Sequence, residues 1–228
     1  MAKKLEILPT IKEGVSIALV NYLSIVCTVV LYVLTIWIPY LNVGTTIAMA
    51  SLPAEMSKGN IINPLFIFDG KFRRNMGEFF ILMSLMIGAI SVGFMFGFIP
   101  GIVIAYAWYI AVILFVDKDR NALEALRESN QLTYGNKARI FWIETVLAIC
   151  LTVVIAIIGF VFGIGEVGWL IGLGAFLNVL VAIFFVPAML GVQAVIYKTL
   201  TTPEEEAPVA AAPAAETPVE EVPVEEVK

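Results

Sequence analysis

The arrangement of charge along the chain restricts its fold more than any other feature. Val15 to Ala54 is 40 residues without Asp, Glu, Lys or Arg, and Phe79 to Val116 is 38. Thr145 to Gly165 is 21, and Val167 to Tyr197 is 31. A bilayer's hydrocarbon core is crossed by about 20 helical residues. Within it, every backbone polar group needs an internal partner, which helices supply along their own length. The two longest runs are therefore each expected to fold as two helices. The composition agrees, with 60% hydrophobic and only 14% charged residues, against about a quarter charged in soluble domains. A soluble enzyme, a DNA-binding domain and a disordered regulator are set aside on that ground.

The breaks within the runs are Pro39, Asn42 and Gly44 in the first, and Gly97, Pro100 and Gly101 in the second. Proline is tolerated at a helix start, where its missing N–H has no partner to lose. Six segments follow: 15–39, 42–57, 78–97, 100–117, 140–162 and 167–197. The second is short and contains Pro53, so a half-helix or interfacial segment is the alternative. The sixth exceeds an upright span and must tilt, bend near Pro187 or begin outside the hydrocarbon. The fold class expected is all-α, a polytopic transmembrane bundle of about six membrane segments with short interfacial amphipathic helices. Residues 1–14 form an N-terminal interfacial segment, 15–200 the membrane domain and 201–228 a tail.

Alternating the loops between sides puts residues 1–14, 58–77, 118–139 and 198–228 together. They hold all 14 Lys and Arg, and the connections near 40–43, 98–99 and 163–166 hold none. The positive-inside rule then places both termini in the cytoplasm. A wrong number of spans is expected to mix basic loops between the sides. Glu6, Lys12 and Glu13 interrupt the start of the chain, and the apolar run after them is too long for a signal peptide, so the first span is read as uncleaved. Trp37, Tyr40, Trp142, Trp169 and Tyr197 fall near span ends, as an interfacial aromatic belt requires; Trp108 and Tyr109 fall in mid-span.

The net charge of −5 belongs to the tail. Residues 201–228 hold eight Glu and one Lys, with a proline every fifth residue from Pro203 to Pro223. Such a segment buries too little apolar surface to offset its ordering entropy, so an extended, disordered acidic tail is expected.

The loop after the fourth span carries its own signals. Asn121 and Glu124 stand at capping-box spacing, and Gly135 is a natural C-terminal stop. A short amphipathic helix is expected between them, with Leu123 and Leu126 on one face and Leu132 extending it. Its surface, including Arg127, is a candidate partner contact. Lys71, Arg73 and Arg74 are candidate contacts for anionic lipid headgroups. Glycines precede each odd-numbered span at Gly14, Gly70 and Gly135, a loose pattern of three hairpins. Small residues also recur at four-residue spacing at Gly93, Gly97 and Gly101, at Gly159 and Gly163, and at Gly168 and Gly172; this is how helices approach closely in lipid, within one chain or between copies.

Catalytic chemistry is sparse. There is no histidine, the commonest general base and metal ligand. Cys27 and Cys150 lie in apolar runs, where buried free thiols are expected. No phosphate-binding loop, metal-ligand set or nucleophile elbow appears. Gly163, Gly165 and Gly168 match a dinucleotide spacing but lack a preceding strand. No cofactor, metal or nucleic acid is expected. Ionisable groups in spans mark transport paths, and here the polar candidates are Asn21, Glu144, Asn178 and Gln193. Glu144 is expected to pair with Lys137 or Arg139, and the three amides to bond between helices.

Several residues taken in order resemble a known pattern. They are Met56 to Gly59, Leu65-Phe66, Phe68-Asp69-Gly70, Ile99-Pro100-Gly101, Ala122, Ala125-Leu126, Ser129, Leu132, Gly135 and Ile140-Phe141. Over about residues 10–200 the chain resembles uncharacterised bacterial multi-pass membrane proteins, similar to the membrane domain fused to some glycerophosphodiester phosphodiesterases. The resemblance implies a six-helix fold in a bacterial cytoplasmic membrane. It implies no hydrolase activity, because that domain is absent, and the acidic tail departs from the pattern. The expectation is a non-enzymatic scaffold, assembly or lipid-organising component. Its partners would be the bilayer, anionic lipids, and a membrane or cytoplasmic protein or a second copy of the chain. The alternative is a small-solute or lipid transporter.

Overall fold

The computed structural model describes residues 4–163 and 168–202. The acidic tail beyond Thr202, Glu166 and most of the dinucleotide-like stretch lie outside the described residues. Those described form helices joined by turns: α1 Ile7–Val20, α2 Tyr22–Thr35, α3 Leu41–Ser57, α4 Lys71–Arg74, α5 Met76–Phe96, α6 Phe98–Ala107, α7 Ala111–Asp117, α8 Ala122–Leu132, α9 Lys137–Gly163 and α10 Gly168–Thr201. A 3-10 turn, Pro64–Phe68, follows α3. Four stretches are long and apolar enough to cross a membrane: α5, α6 with α7, α9 and α10. A fifth exists only if α1 and α2, bent by 76° at their junction, are counted together. These helices fit a multi-pass membrane protein.

Burial divides the chain into two parts. One is a packed core. Leu5, Ile110, Leu114, Ile143, Ile196 and Leu200 meet in one cluster; Ile47, Phe72, Phe79, Leu82, Phe115 and Leu126 meet in a second; Ile25, Leu52, Met56, Ile62 and Ala194 form a third. The other part is two apolar hairpins that leave this core. In α9 nothing beyond Leu147 is buried, and in α10 only Gly174 is buried before Pro187. Along α5, only Gly93 is buried after Leu82. Exposed Phe, Leu, Ile and Val cover these arms. In water so much apolar surface would drive association; against lipid tails there is no such force.

The first hairpin closes through glycine. Its chain reverses at Gly97, which has φ +146° and ends α5. A Cβ on Gly93 would lie 3.0 Å from the Gly101 Cα, so these two of the small residues do bring α5 and α6 together. Among the described residues nothing lies within 4 Å of a Cβ built on Gly159, Gly163, Gly168 or Gly172. The closest helix contact is elsewhere. A Cβ on Gly191 would lie 2.1 Å from the Gly14 carbonyl oxygen, and one on Gly14 would lie 2.6 Å from the Val192 Cα. Here α1 runs antiparallel to the second half of α10. Leu5 joins the cluster of Ile196 and Leu200, and Tyr22 meets Phe184 with rings 5.7 Å apart.

The span expected over 15–39 is thus replaced by two helices. Asn21 sits at their bend, where its side chain donates to the Ile17 carbonyl at 3.2 Å and accepts from the Ile62 N–H at 3.1 Å. Beyond it, α2 lies antiparallel beside α3: Tyr32 meets Thr46 through their hydroxyls at 3.2 Å, Thr35 meets Thr45 at 3.3 Å, and Ile25 packs with Leu52 and Met56. The two ends of α3 both meet charged segments. Near its start Gly44 touches Arg73, and just past its end Lys58 pairs with Asp117. The helix expected over 42–57 is present, yet its ends join two charged points instead of separating a charged from an uncharged face. It is buried along most of its length and contributes side chains to all three core clusters.

Two further expectations are corrected. Tyr197 is 2% exposed and donates to Asp117 Oδ2 at 2.6 Å, so it belongs to the core and not to an aromatic belt. Cys27 and Cys150 are exposed on apolar surface instead of buried, and both are free.

Candidate functional site

Charged groups that face one another gather where α3, α4, the start of α5 and the end of α7 converge. The junction encloses a cavity of 290 Å³, with Ile47, Phe66, Phe72 and Phe115 among its apolar walls. The cations Lys58, Lys71 and Arg74 line it together with the acids Glu55, Asp117 and Asp119.

Local structure sets each group. The 3-10 turn begins at Asn63, whose side chain accepts from the Leu65 N–H at 3.1 Å, and Pro64 follows it. That turn presents Phe66 to Phe72 edge-on at 4.8 Å. Lys71 lies over both rings, 4.6 and 4.9 Å from their centres, and 3.7 Å from Asp69. Lys58 bridges Asp117 and, at 3.5 Å, Glu55. The hydrogen bond to Asp117 raises the Lys58 pKa above the ordinary ammonium value; burial opposes this, and the charges of Asp117 and Glu55 reinforce it. Asp119 adopts φ +48°, a left-handed conformation that Asp tolerates better than most residues. There it accepts from Asn75 Nδ2 at 2.7 Å. Arg74 is exposed and has no ion-pair or hydrogen-bond partner among the described residues. Arg73 is used structurally: its stem covers Gly44 and its guanidinium donates to the Phe68 carbonyl at 3.4 Å. Of the basic trio, two line the cavity and one supports α3.

Helix α8 forms as its caps require. The Glu124 N–H donates to Asn121 Oδ1 at 2.9 Å and the Asn121 N–H to Glu124 Oε2 at 3.4 Å, and Gly135 has φ +80°. Its buried face is Ala122, Ala125, Leu126 and Ser129. Leu126 is 6% exposed but Leu123 is 56% exposed, so the two leucines do not share the packed face. Arg127 lies on the outer side with Leu123. Glu128 is held by Lys118 and by Arg120 at 3.2 Å. Burial would raise its pKa, but the two cations outweigh burial and lower it.

Ser129 does something the sequence reading missed. Between α6 and α7 the Ala111 N–H turns to the Trp108 carbonyl, leaving the Ala107 carbonyl without it. The Ser129 hydroxyl donates to that oxygen at 2.9 Å, and the Thr133 hydroxyl, 3.1 Å away, divides itself between it and the Ser129 carbonyl at 2.8 Å. The signal was present as two hydroxyls four residues apart on one helical face.

Of the four intramembrane candidates, Glu144 and Gln193 meet at Tyr109, and Asn21 and Asn178 lie apart from them. Asn21 pins the α1–α2 bend. Glu144 accepts from the Tyr109 hydroxyl and pairs with neither Lys137 nor Arg139, which bond to Asn130 and Asn136. Gln193 lies beside the same Tyr109. Asn178 lies about four turns away along α10, roughly 22 Å at 1.5 Å per residue, with a buried Oδ1 lacking a partner among the described residues. Among the described residues no three His, Cys, Asp or Glu are placed to hold a metal. No family model, no curated protein and no solved structure matches the chain.

Proposed function

We propose that the protein is a non-enzymatic scaffold or lipid-organising component of a bacterial cytoplasmic membrane, presenting a charged helical platform on one bilayer face. The observation that carries this is the division of the chain into a core bearing the ion pairs and two apolar hairpins free of charge beyond it. In this reading α5, α6 with α7, α9 and α10 span the bilayer. The α1–α3 segment enters from the charged face and returns to it, and positive charge sets that face and both termini in the cytoplasm. Lys71 and Arg74 meet headgroups, and the outer side of α8, with Leu123 and Arg127, is the surface for a protein partner. A transporter is the weaker alternative, because its four polar candidates are dispersed over three places.

Sidedness separates four spans from six. In a chain with Cys27 and Cys150 replaced by alanine, cysteines at Tyr40 and Ile99 are treated with a membrane-impermeant thiol reagent. Four spans place Ile99 on the outside and Tyr40 away from it, so intact cells label the cysteine at Ile99 alone. Equal labelling of both from outside restores the six-span topology. The role is tested by gentle native extraction and mass spectrometry of the intact particle. A stoichiometric second protein, lost when Leu123 and Arg127 are both changed to serine, is the expected result. A lone chain with a retained solute would favour transport.

A further inference from the structure

The charged cavity holds both signs of charge, and its members are not equally committed. Lys58 and Asp117 neutralise each other, and Tyr197 further occupies Asp117. That leaves Arg74 and Lys71, the latter also 3.7 Å from Asp69 outside the cavity lining, on one side against Glu55 and Asp119 on the other. Lys71 is steered by the faces of Phe66 and Phe72, and Arg74 has no protein partner among the described residues. Glu55 has a hydrogen bond from Asn60 at 2.9 Å and a longer one from Lys58. Asp119 receives one hydrogen bond, from Asn75 to Oδ1. A bare anion would meet Arg74 and Lys71 but also two carboxylates. A bare cation would meet the reverse. A ligand carrying a phosphate and an ammonium a few ångströms apart satisfies all four groups.

The surroundings favour a lipid as the bearer. Arg74 and Asn75 line the cavity and α5 starts at the next residue, with Phe80 and Ile81 exposed on its first turns. An apolar wall for acyl chains therefore begins beside the charged groups. We infer that the cavity binds the zwitterionic phosphate–ammonium headgroup of a phosphatidylethanolamine-type lipid. Arg74 and Lys71 hold the phosphate, and Asp119 with Glu55 receives the ammonium. The inference rests on the lipid-organising reading above, and names the lipid.

The test is titration of the full-length, detergent-purified protein with phosphatidylethanolamine, phosphatidylglycerol and inorganic phosphate, read by native mass spectrometry. One phosphatidylethanolamine per chain is expected, retained more strongly than phosphatidylglycerol. Arg74→Gln should weaken its retention by about tenfold, the equivalent of about 1.4 kcal/mol, and Asp119→Asn should narrow the preference over phosphatidylglycerol. Lys71→Gln serves as a second variant, and unchanged elution on gel filtration confirms that each variant folds. Equal retention of the two lipids by the wild type, or no effect of Arg74→Gln and Lys71→Gln, would overturn the headgroup site. Displacement of the lipid by millimolar inorganic phosphate would overturn the lipid assignment in favour of a soluble anion. None of these failures touches the platform reading, which stands or falls on the protein partner and on sidedness.

Discussion

Gly191→Leu will release α1 from α10. The built Cβ already lies 2.1 Å from the Gly14 carbonyl oxygen, and the obstacle is backbone, which cannot rotate aside. Overpacking in a well-filled core costs about 1–3 kcal/mol and occasionally more, and here the whole helix contact must open. Asn21, Leu5 and the Glu13–Lys198 pair, 3.0 Å apart, depend on the same alignment. The readout is proteolysis of the detergent-purified protein: cleavage near Lys12 should accelerate at least tenfold, with the α9–α10 hairpin left intact. Gly159→Leu is the matched control, since nothing lies within 4 Å of its Cβ position. Equal sensitivity of the two variants would refute the α1–α10 contact.

Ser129→Ala is expected to cost about 1–3 kcal/mol, the price of leaving a buried carbonyl without its donor. The loss falls on one atom, the Ala107 oxygen, at the break between α6 and α7. Ser129→Thr should retain the hydroxyl but crowd a fully buried position, and so lose less than alanine if the hydrogen bond is what matters. Thermal unfolding in detergent, followed by far-ultraviolet circular dichroism, measures both. Were alanine as stable as serine, the Thr133 hydroxyl alone would be serving the carbonyl.

Helical class and four of the six apolar segments were legible because they depend on long, charge-free runs. Segments expected over 78–97, 140–162 and 167–197 are close to α5, α9 and α10, and that over 100–117 covers α7 and all but the first two residues of α6. The α8 caps were legible because a capping box is local chemistry between Asn121 and Glu124. Over the first 57 residues the helix at 42–57 was anticipated, with an interfacial segment as its alternative, but the bend within 15–39 was not, for a physical reason. Hydropathy measures how apolar a segment is, and a helix buried beneath a protein core is as apolar as one in lipid. Charge alternation was no safeguard. Two adjacent spans added or removed leave every later loop on its own side, so the basic loops sort identically for four spans and for six. The Gly14–Gly191 contact was invisible because the spacing rule looks along one helix, and this contact pairs single glycines from opposite ends of the chain. Of the candidate site, Lys71 and Arg74 were found from their basic run. Their acidic counterparts Glu55 and Asp119 were missed, since only the fold brings α3 and the turn after α7 beside them.

That pairing of opposite ends imposes an order on biosynthesis. Helix α1 is made well before the surface it needs, around Gly191 and Val192. At about 5–20 residues per second, the interval between them is roughly 10–35 s. Throughout it, α1 carries an apolar surface whose native neighbour does not yet exist. The hairpin of α5 and α6 can enter the membrane meanwhile from its own local contacts. Helix α1 cannot settle, and must be sheltered by the bilayer surface or by an insertion factor until α10 arrives.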